Sequence, residues 1–326
     1  MAPPVSSDQL GLLDRQLLFV TGKGGVGKTS VAASLAFLAS QQGRRTMVCE
    51  IDAKGDLAGA FESGPLAFKP RELAPNLWGM AMNTEESLRE YLKLQLKVPI
   101  LGRIGPVART FDFVADAAPG VKEILTVGKL CYEVRERTFD LIVVDASATG
   151  HVIGQLAAPQ AINELVKVGR VREQTRWMVD MLADPATTAA VIVAAPEEMP
   201  VSETLDLAER MRTETDVLLA AVIVNKVLPE LFGRSEEAMF HSLRQPAALD
   251  ALAAAVGAPA SQVAPVLDAA QLAVTLRRTR AGHLTRLRQE LPKTVPLLYV
   301  PYLFNRTHGV RSTRAVAEAL AAEIGS

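Results

Sequence analysis

Residues 22–29 read GKGGVGKT. The stretch fits the spacing G-x-x-x-x-G-K-(S/T) from Gly22 to Thr29. Gly22, Gly24, Gly25 and Gly27 take side chains out of the way, so that the loop's backbone N–H groups, that of Val26 included, can surround phosphate oxygens. An apolar run, QLLFVT (16–21), precedes the loop and a helical pattern follows it. A strand feeding a helix is the context such a loop needs, because the helix N-terminus adds its positive dipole end. Lys28 is then placed to reach the β- and γ-phosphates, and Thr29 to ligate Mg²⁺, with Ser30 beside it in the first turn. One lysine suffices to hold a phosphate, so Lys23 requires an explanation of its own.

Other polar residues sit where apolar strands end. Asp145 closes DLIVVDA (140–146), a position from which a carboxylate can hold Mg²⁺ through water. Asp52 ends the run RRTMVCEID (44–52), and Asn225 and Lys226 end LLAAVIVNK (218–226). A guanine reader of the form N-K-x-D needs an acid two residues after the lysine; Leu228 stands there, so ATP is expected rather than GTP.

These residues imply a doubly wound α/β fold with a mostly parallel sheet. The four runs above, TAAVIVAAP (188–196) and VPLLYVP (295–301) read as buried strands, and NLWGMAMN (76–83) as a further one. Helical segments between them imply right-handed crossovers. The first helix is expected from Val26 to about Gln41, ending at Gly43. Three stretches are too long for plain crossovers and read as helical insertions: 84–136 as two or three helices, 160–183 as one, and 234–290 as a third insert punctuated by Pro246, Pro259 and Pro265. The 326 residues are read as one unit.

Composition sets the outer bounds. Hydrophobic residues at 49% support a sizeable core, and a formal charge of −1 argues against a dedicated nucleic-acid binder. Cys49 and Cys131 offer neither a disulfide framework nor a Cys-x-x-Cys pair, which fits a reducing, cytoplasmic setting. MAPPVSSDQL does not read as a signal peptide, and no apolar run is long enough to span a membrane.

Lys23 narrows the reading. K-G-G-x-G-K-T resembles the deviant phosphate-binding loop, or deviant Walker A motif, with a "signature" lysine. It is shared by the nitrogenase iron protein, septum-site and partition ATPases, and the arsenical-pump and tail-anchored-protein-targeting ATPases. In that group the first lysine contacts phosphate across a dimer interface, which implies that Lys23 acts in trans on a partner's nucleotide. FDLIVVDASATGH (139–151) is similar to the D-T-A-P-T-G-H switch II of the arsenical-pump/tail-anchored-targeting family, with Thr149, Gly150 and His151 continuing the match. DAKGDLAGAF (52–61) resembles that family's switch I, D-P-A-H-x-L-x-x-A-F. Asp52 matches the residue that orients the attacking water; Ala53, Lys54 and Gly55 replace Pro, Ala and His, leaving the hydrolysis rate open. DAAPGVKEILTVGKL (116–130) and PEEMPVSETLDLAERM (196–211) are also similar.

The resemblance implies a cytosolic, dimeric, Mg²⁺-dependent ATPase, a homodimer or a heterodimer with a paralogue, with a hydrophobic client or a membrane-protein partner. It places Asn225 and Pro301 on the adenine side. Leu88, Tyr91, Leu92, Ile104, Val107, Phe111, Ile162, Leu165, Val166, Trp177, Met178, Met181 and Leu182 recur at helical spacing. Such stripes usually face a core; the family adds a client groove as the other reading. A metalloid site of clustered thiolates and the family's Cys-x-x-Cys zinc clasp are not expected. The alternative is a septum-site or partition-type positioning ATPase, which would want a basic amphipathic C-terminal helix; RSTRAVAEALAAEIGS is acidic and alanine-rich at its end.

Overall fold

A computed structural model describes residues 11–52, 54–96, 120–148, 150–166, 168–304 and 309–325. In chain order the elements are β1 (Leu17–Gly22), α1 (Lys28–Gln41), β2 (Thr46–Glu50), α2 (Asp56–Ala60), β3 (Arg71–Ala74), β4 (Leu77–Ala81), α3 (Thr84–Leu96), α4 (Val121–Arg135), β5 (Leu141–Asp145), α5 (Gly150–Leu165), α6 (Arg170–Ala183), β6 (Thr188–Ala194), α7 (Glu198–Glu214), β7 (Leu218–Val227), α8 (Arg234–Leu243), α9 (Pro246–Val256), α10 (Ala260–Glu290), β8 (Leu297–Pro301) and α11 (Val310–Ile324).

The strands form one sheet in the order β3-β4-β2-β5-β1-β6-β7-β8. Every neighbouring pair is parallel except β3 with β4. Burial on both faces explains why the parallel strands are continuous apolar runs. Side chains alternate between faces: Leu17 and Phe19 enter one core, Leu18 and Val20 the other. The first core is covered by residues of α4, α5, α6 and α7, such as Leu130, Leu156, Leu182 and Met211. The second is covered by α1 and α11, through Val31, Leu35, Val316 and Leu320. A third cluster of Phe240, Ala253, Val263, Leu267 and Val274 belongs to α8–α10. α10 continues beyond it and buries Leu287 in the first core.

Several sequence expectations shift. The first helix starts at Lys28, two residues later than expected, because Gly27 holds φ 96° as its N-cap. The single helix expected at 160–183 is two: α5 already begins at Gly150 and runs through Pro159, and Gly169 at φ 96° separates it from α6. β3, an exposed edge strand, was not anticipated. Of the expected insertion 84–136, residues 97–119 lie outside the described residues, and with them Ile104, Val107 and Phe111. Thr149 and the side chain of Leu92 also lie outside them. Met178 and Leu182 face the first core, whereas Leu165 is exposed.

Candidate functional site

In an open parallel sheet, ligands bind beyond the carboxyl ends of the strands. Here that edge carries Gly22 from β1, Glu50 from β2, Asp145 from β5, Asn225 from β7 and Pro301 from β8. A cleft of about 720 Å³ opens there. It is lined by Gly24, Gly25, Gly27, Lys28, Thr29, Ser30, Asp52, Asp145, Asn225 and Pro301, all anticipated, together with Glu50, Lys54, Asp56 and Tyr302. Gly22, Lys23 and Val26 complete the loop beside it.

The loop's shape is enforced by its neighbours. A Cβ on Gly22 would lie 2.2 Å from the Val193 carbonyl oxygen, so β6 excludes a side chain there. A Cβ on Gly27 would lie 2.4 Å from Asn225 Nδ2. Asn225, almost fully buried, donates that amide to the Val26 carbonyl at 2.9 Å and accepts from the Lys226 N–H at 2.9 Å. Lys226 Nζ donates to the Gly25 carbonyl at 2.8 Å. β7 therefore braces the loop from behind. One amide hydrogen and one carbonyl lone pair of Asn225 are left over.

At the loop's helical end, Thr29 Oγ1 donates to Asp145 Oδ2 at 2.6 Å. Asp145 Oδ1 is buried and without a hydrogen-bond partner. Burial pushes the Asp145 carboxyl up to about 6, against the Thr29 hydrogen bond and the nearby Lys28 charge. Lys28 Nζ donates to the Lys23 carbonyl at 3.2 Å. Its own proton affinity is lowered, first by desolvation, against the pull of Asp145. An orphaned carboxylate oxygen beside a hydroxyl is a donor set suited to a hard divalent cation.

Asp52 accepts from Ser147 Oγ at 2.7 Å through Oδ1, and Lys54 Nζ lies 3.5 Å from its Oδ2. Ser147 is fixed in turn, its carbonyl accepting from Thr21 Oγ1 at 3.0 Å. Buried Glu50 accepts from the Gly55 and Asp56 N–H groups at 3.2 and 3.0 Å, which pins the turn after Asp52. Lys23, outside the cleft's lining, is engaged elsewhere. Its ammonium is paired with Glu203 on α7 of the same chain. His151, at the start of α5, is exposed.

Sequence reasoning had not assigned roles to Ser147, Glu50 and Glu203. Glu50 had a signal, an acid inside an apolar strand; Glu203 lies in the quoted segment after β6; Ser147 had none. The two cysteines are buried, and desolvation raises both thiols, Cys131 to about 12.

The sequence matches the family described as anion-transporting ATPase over residues 15–181 and 165–246, most of the chain. The chain belongs to the anion-transporting ATPase family. ATPase BagA of Mycobacterium tuberculosis is 31% identical over 225 residues, 66% of either chain, so this family member spans just under two thirds of that relative's length. The arsenical pump-driving ATPase of Acidiphilium multivorum is 26% identical, covering 65% of this chain and 40% of the relative. ATPase get3 of Neurospora crassa is 29% identical over half of each chain. The eight-stranded sheet and its loop are consistent with the P-loop fold of this family.

Proposed function

We propose that this anion-transporting ATPase family member binds Mg²⁺-ATP in the cleft and hydrolyses it, with nucleotide state coupled to closure of a dimer. The observation that carries the reading is the convergence of Lys28, Thr29, Asp52 and Asp145 on one cleft from β1, β2 and β5. Lys28 and the loop N–H groups bind the phosphates. Thr29 and Asp145 hold Mg²⁺, which neutralises phosphate charge when bound; the unpartnered Asp145 Oδ1 supports this. Asp52, steadied by Ser147, orients the attacking water. Asn225 and Pro301 flank the base, Asn225 through its remaining amide hydrogen.

Lys23 is the group offered to a partner's nucleotide, and in this role it has to leave Glu203. The partner is a second copy or a paralogue. The client half of the reading is supported by an apolar pocket of about 240 Å³ between α3, α4, α5 and α6, which brings Leu88, Tyr91, Ile162, Trp177 and Met178 together. A cytosolic setting is supported by the two free, buried thiols. The positioning-ATPase alternative is disfavoured because α11 spends its apolar face, Val316 and Leu320, against the second core. No single helix among the described residues is long and apolar enough to cross a membrane.

The test is thermal. Ligand bound by the native state alone raises the melting temperature by mass action. Mg²⁺-ATP is expected to do so for the wild type, with phosphate release, and Lys28→Ala to abolish the shift. An unchanged shift in the variant overturns the site.

A further inference from the structure

Lys54 stands in the turn between β2 and α2, where the related switch motif has alanine. It lines the cleft with Lys28, Thr29 and Asp52. Its charge is near enough to Lys28 to work against protonation there, so two ammonium groups approach one cavity, which Asp52, Asp56 and Asp145 also line. Lys54 rests 3.5 Å from Asp52 Oδ2, while Ser147 holds Oδ1 at 2.7 Å. Asp52 therefore has a partner on each oxygen. The backbone after Lys54 is fixed by the two hydrogen bonds to Glu50, yet its side chain is 66% exposed and can be redirected. A pinned base with a long, solvated arm suits a cation that changes partner.

We infer that Lys54 is a ligand of the terminal phosphate of a bound nucleoside triphosphate. It leaves Asp52 for the γ-phosphate oxygens and thereby frees Asp52 Oδ2 to accept from water. The inference rests on the nucleotide reading above and deepens it. A terminal phosphate offers more charge and more acceptor oxygens than one carboxylate, so the exchange is favourable only when that phosphate is present. A diphosphate ends one group short, and Lys54 then stays on Asp52. Lys54 thus distinguishes ATP from ADP within its own chain, independently of any group supplied by a partner.

The experiment compares the wild type, Lys54→Met and Lys54→Arg as full chains. Calorimetric titration with Mg²⁺-ADP and with a non-hydrolysable Mg²⁺-ATP analogue gives two affinities for each, and turnover is measured alongside. Lys54→Met is expected to lose about tenfold in affinity for the analogue, the scale of one charge-assisted hydrogen bond. Its ADP affinity should stay within about twofold, since Lys28 and the loop are intact. Turnover falls, and Lys54→Arg retains the analogue preference. An analogue-to-ADP ratio in Lys54→Met equal to that of the wild type overturns the inference, whatever happens to turnover. A wild type that binds neither nucleotide overturns the parent reading as well, so the two failures are distinguishable. The exposed position keeps folding out of the comparison, and a thermal melt of each variant checks this.

Discussion

A carboxylate can orient water only if something orients the carboxylate. Asp52 sits on a turn, and its geometry is borrowed from Ser147, 95 residues away in sequence, through the 2.7 Å hydrogen bond. Asp52→Asn is expected to bind Mg²⁺-ATP normally and to lose hydrolysis. Ser147→Ala should lower kcat about tenfold, the scale of a hydrogen bond to a charged group, with KM unchanged. Steady-state kinetics decide it: wild-type turnover in Ser147→Ala would remove the positioning role, and a larger loss in Asp56→Asn than in Asp52→Asn would move the water to Asp56. At this scale the sequence was legible where function is local. Lys28, Thr29 and the loop glycines share eight consecutive residues, and Asp145 is marked by the strand it ends. Ser147 and Glu203 were not legible, because each owes its role to a side chain that only the fold brings near, whereas Glu50 stood out as an acid in an apolar strand without showing that it would hold the Gly55 and Asp56 N–H groups.

The loop between β1 and α1 is held from two sides, by its own dihedral angles and by the end of β7. Gly27 combines φ 96° with a 2.4 Å approach of Asn225 Nδ2 to its missing Cβ. Gly27→Ala is therefore expected to destabilise by more than about 1 kcal/mol in denaturant unfolding. Adding Asn225→Ala should relieve the contact but not the dihedral strain, leaving the double variant still less stable than Asn225→Ala alone. Equal stability of those two would mean that the backbone there is unstrained. Strands declared themselves because a parallel sheet buried on both faces leaves uninterrupted apolar runs. β3 escaped notice because it is short, exposed and antiparallel at an edge. α5 and α6 were read as one helix because apolar periodicity continues across the break that Gly169 makes, while Pro159 obscured how early α5 begins.

The largest scale is the least legible in the chain. That residues 234–290 are helical followed from their pattern; that they form a cluster of their own, with α10 reaching back to bury Leu287 under the sheet, did not. Nor did composition reveal that Lys23 already has an anion in its own chain. In a dimer acting in trans, Lys23→Ala should bind ATP nearly normally and lose about 10³-fold in hydrolysis. Mixing it with Asp52→Asn should restore activity, because one of the two mixed sites keeps both groups. No recovery after proven subunit exchange would confine Lys23 to its own site.

If Lys23 acts on a partner's nucleotide as proposed, its pairing with Glu203 makes closure a competition rather than a capture. A neighbour's polyphosphate would then not find a vacant cation; it would have to outbid a carboxylate of the same chain. Glu203 would thereby set a threshold, and the quantity it would control is how much protein is needed before pairs form, not how fast a formed pair turns over. Both partners are about one-third exposed, so such a threshold would be modest. Glu203→Gln should lower the protein concentration giving half-maximal specific activity by up to about fivefold, with the plateau unmoved. A shifted plateau would instead make Glu203 part of the chemistry.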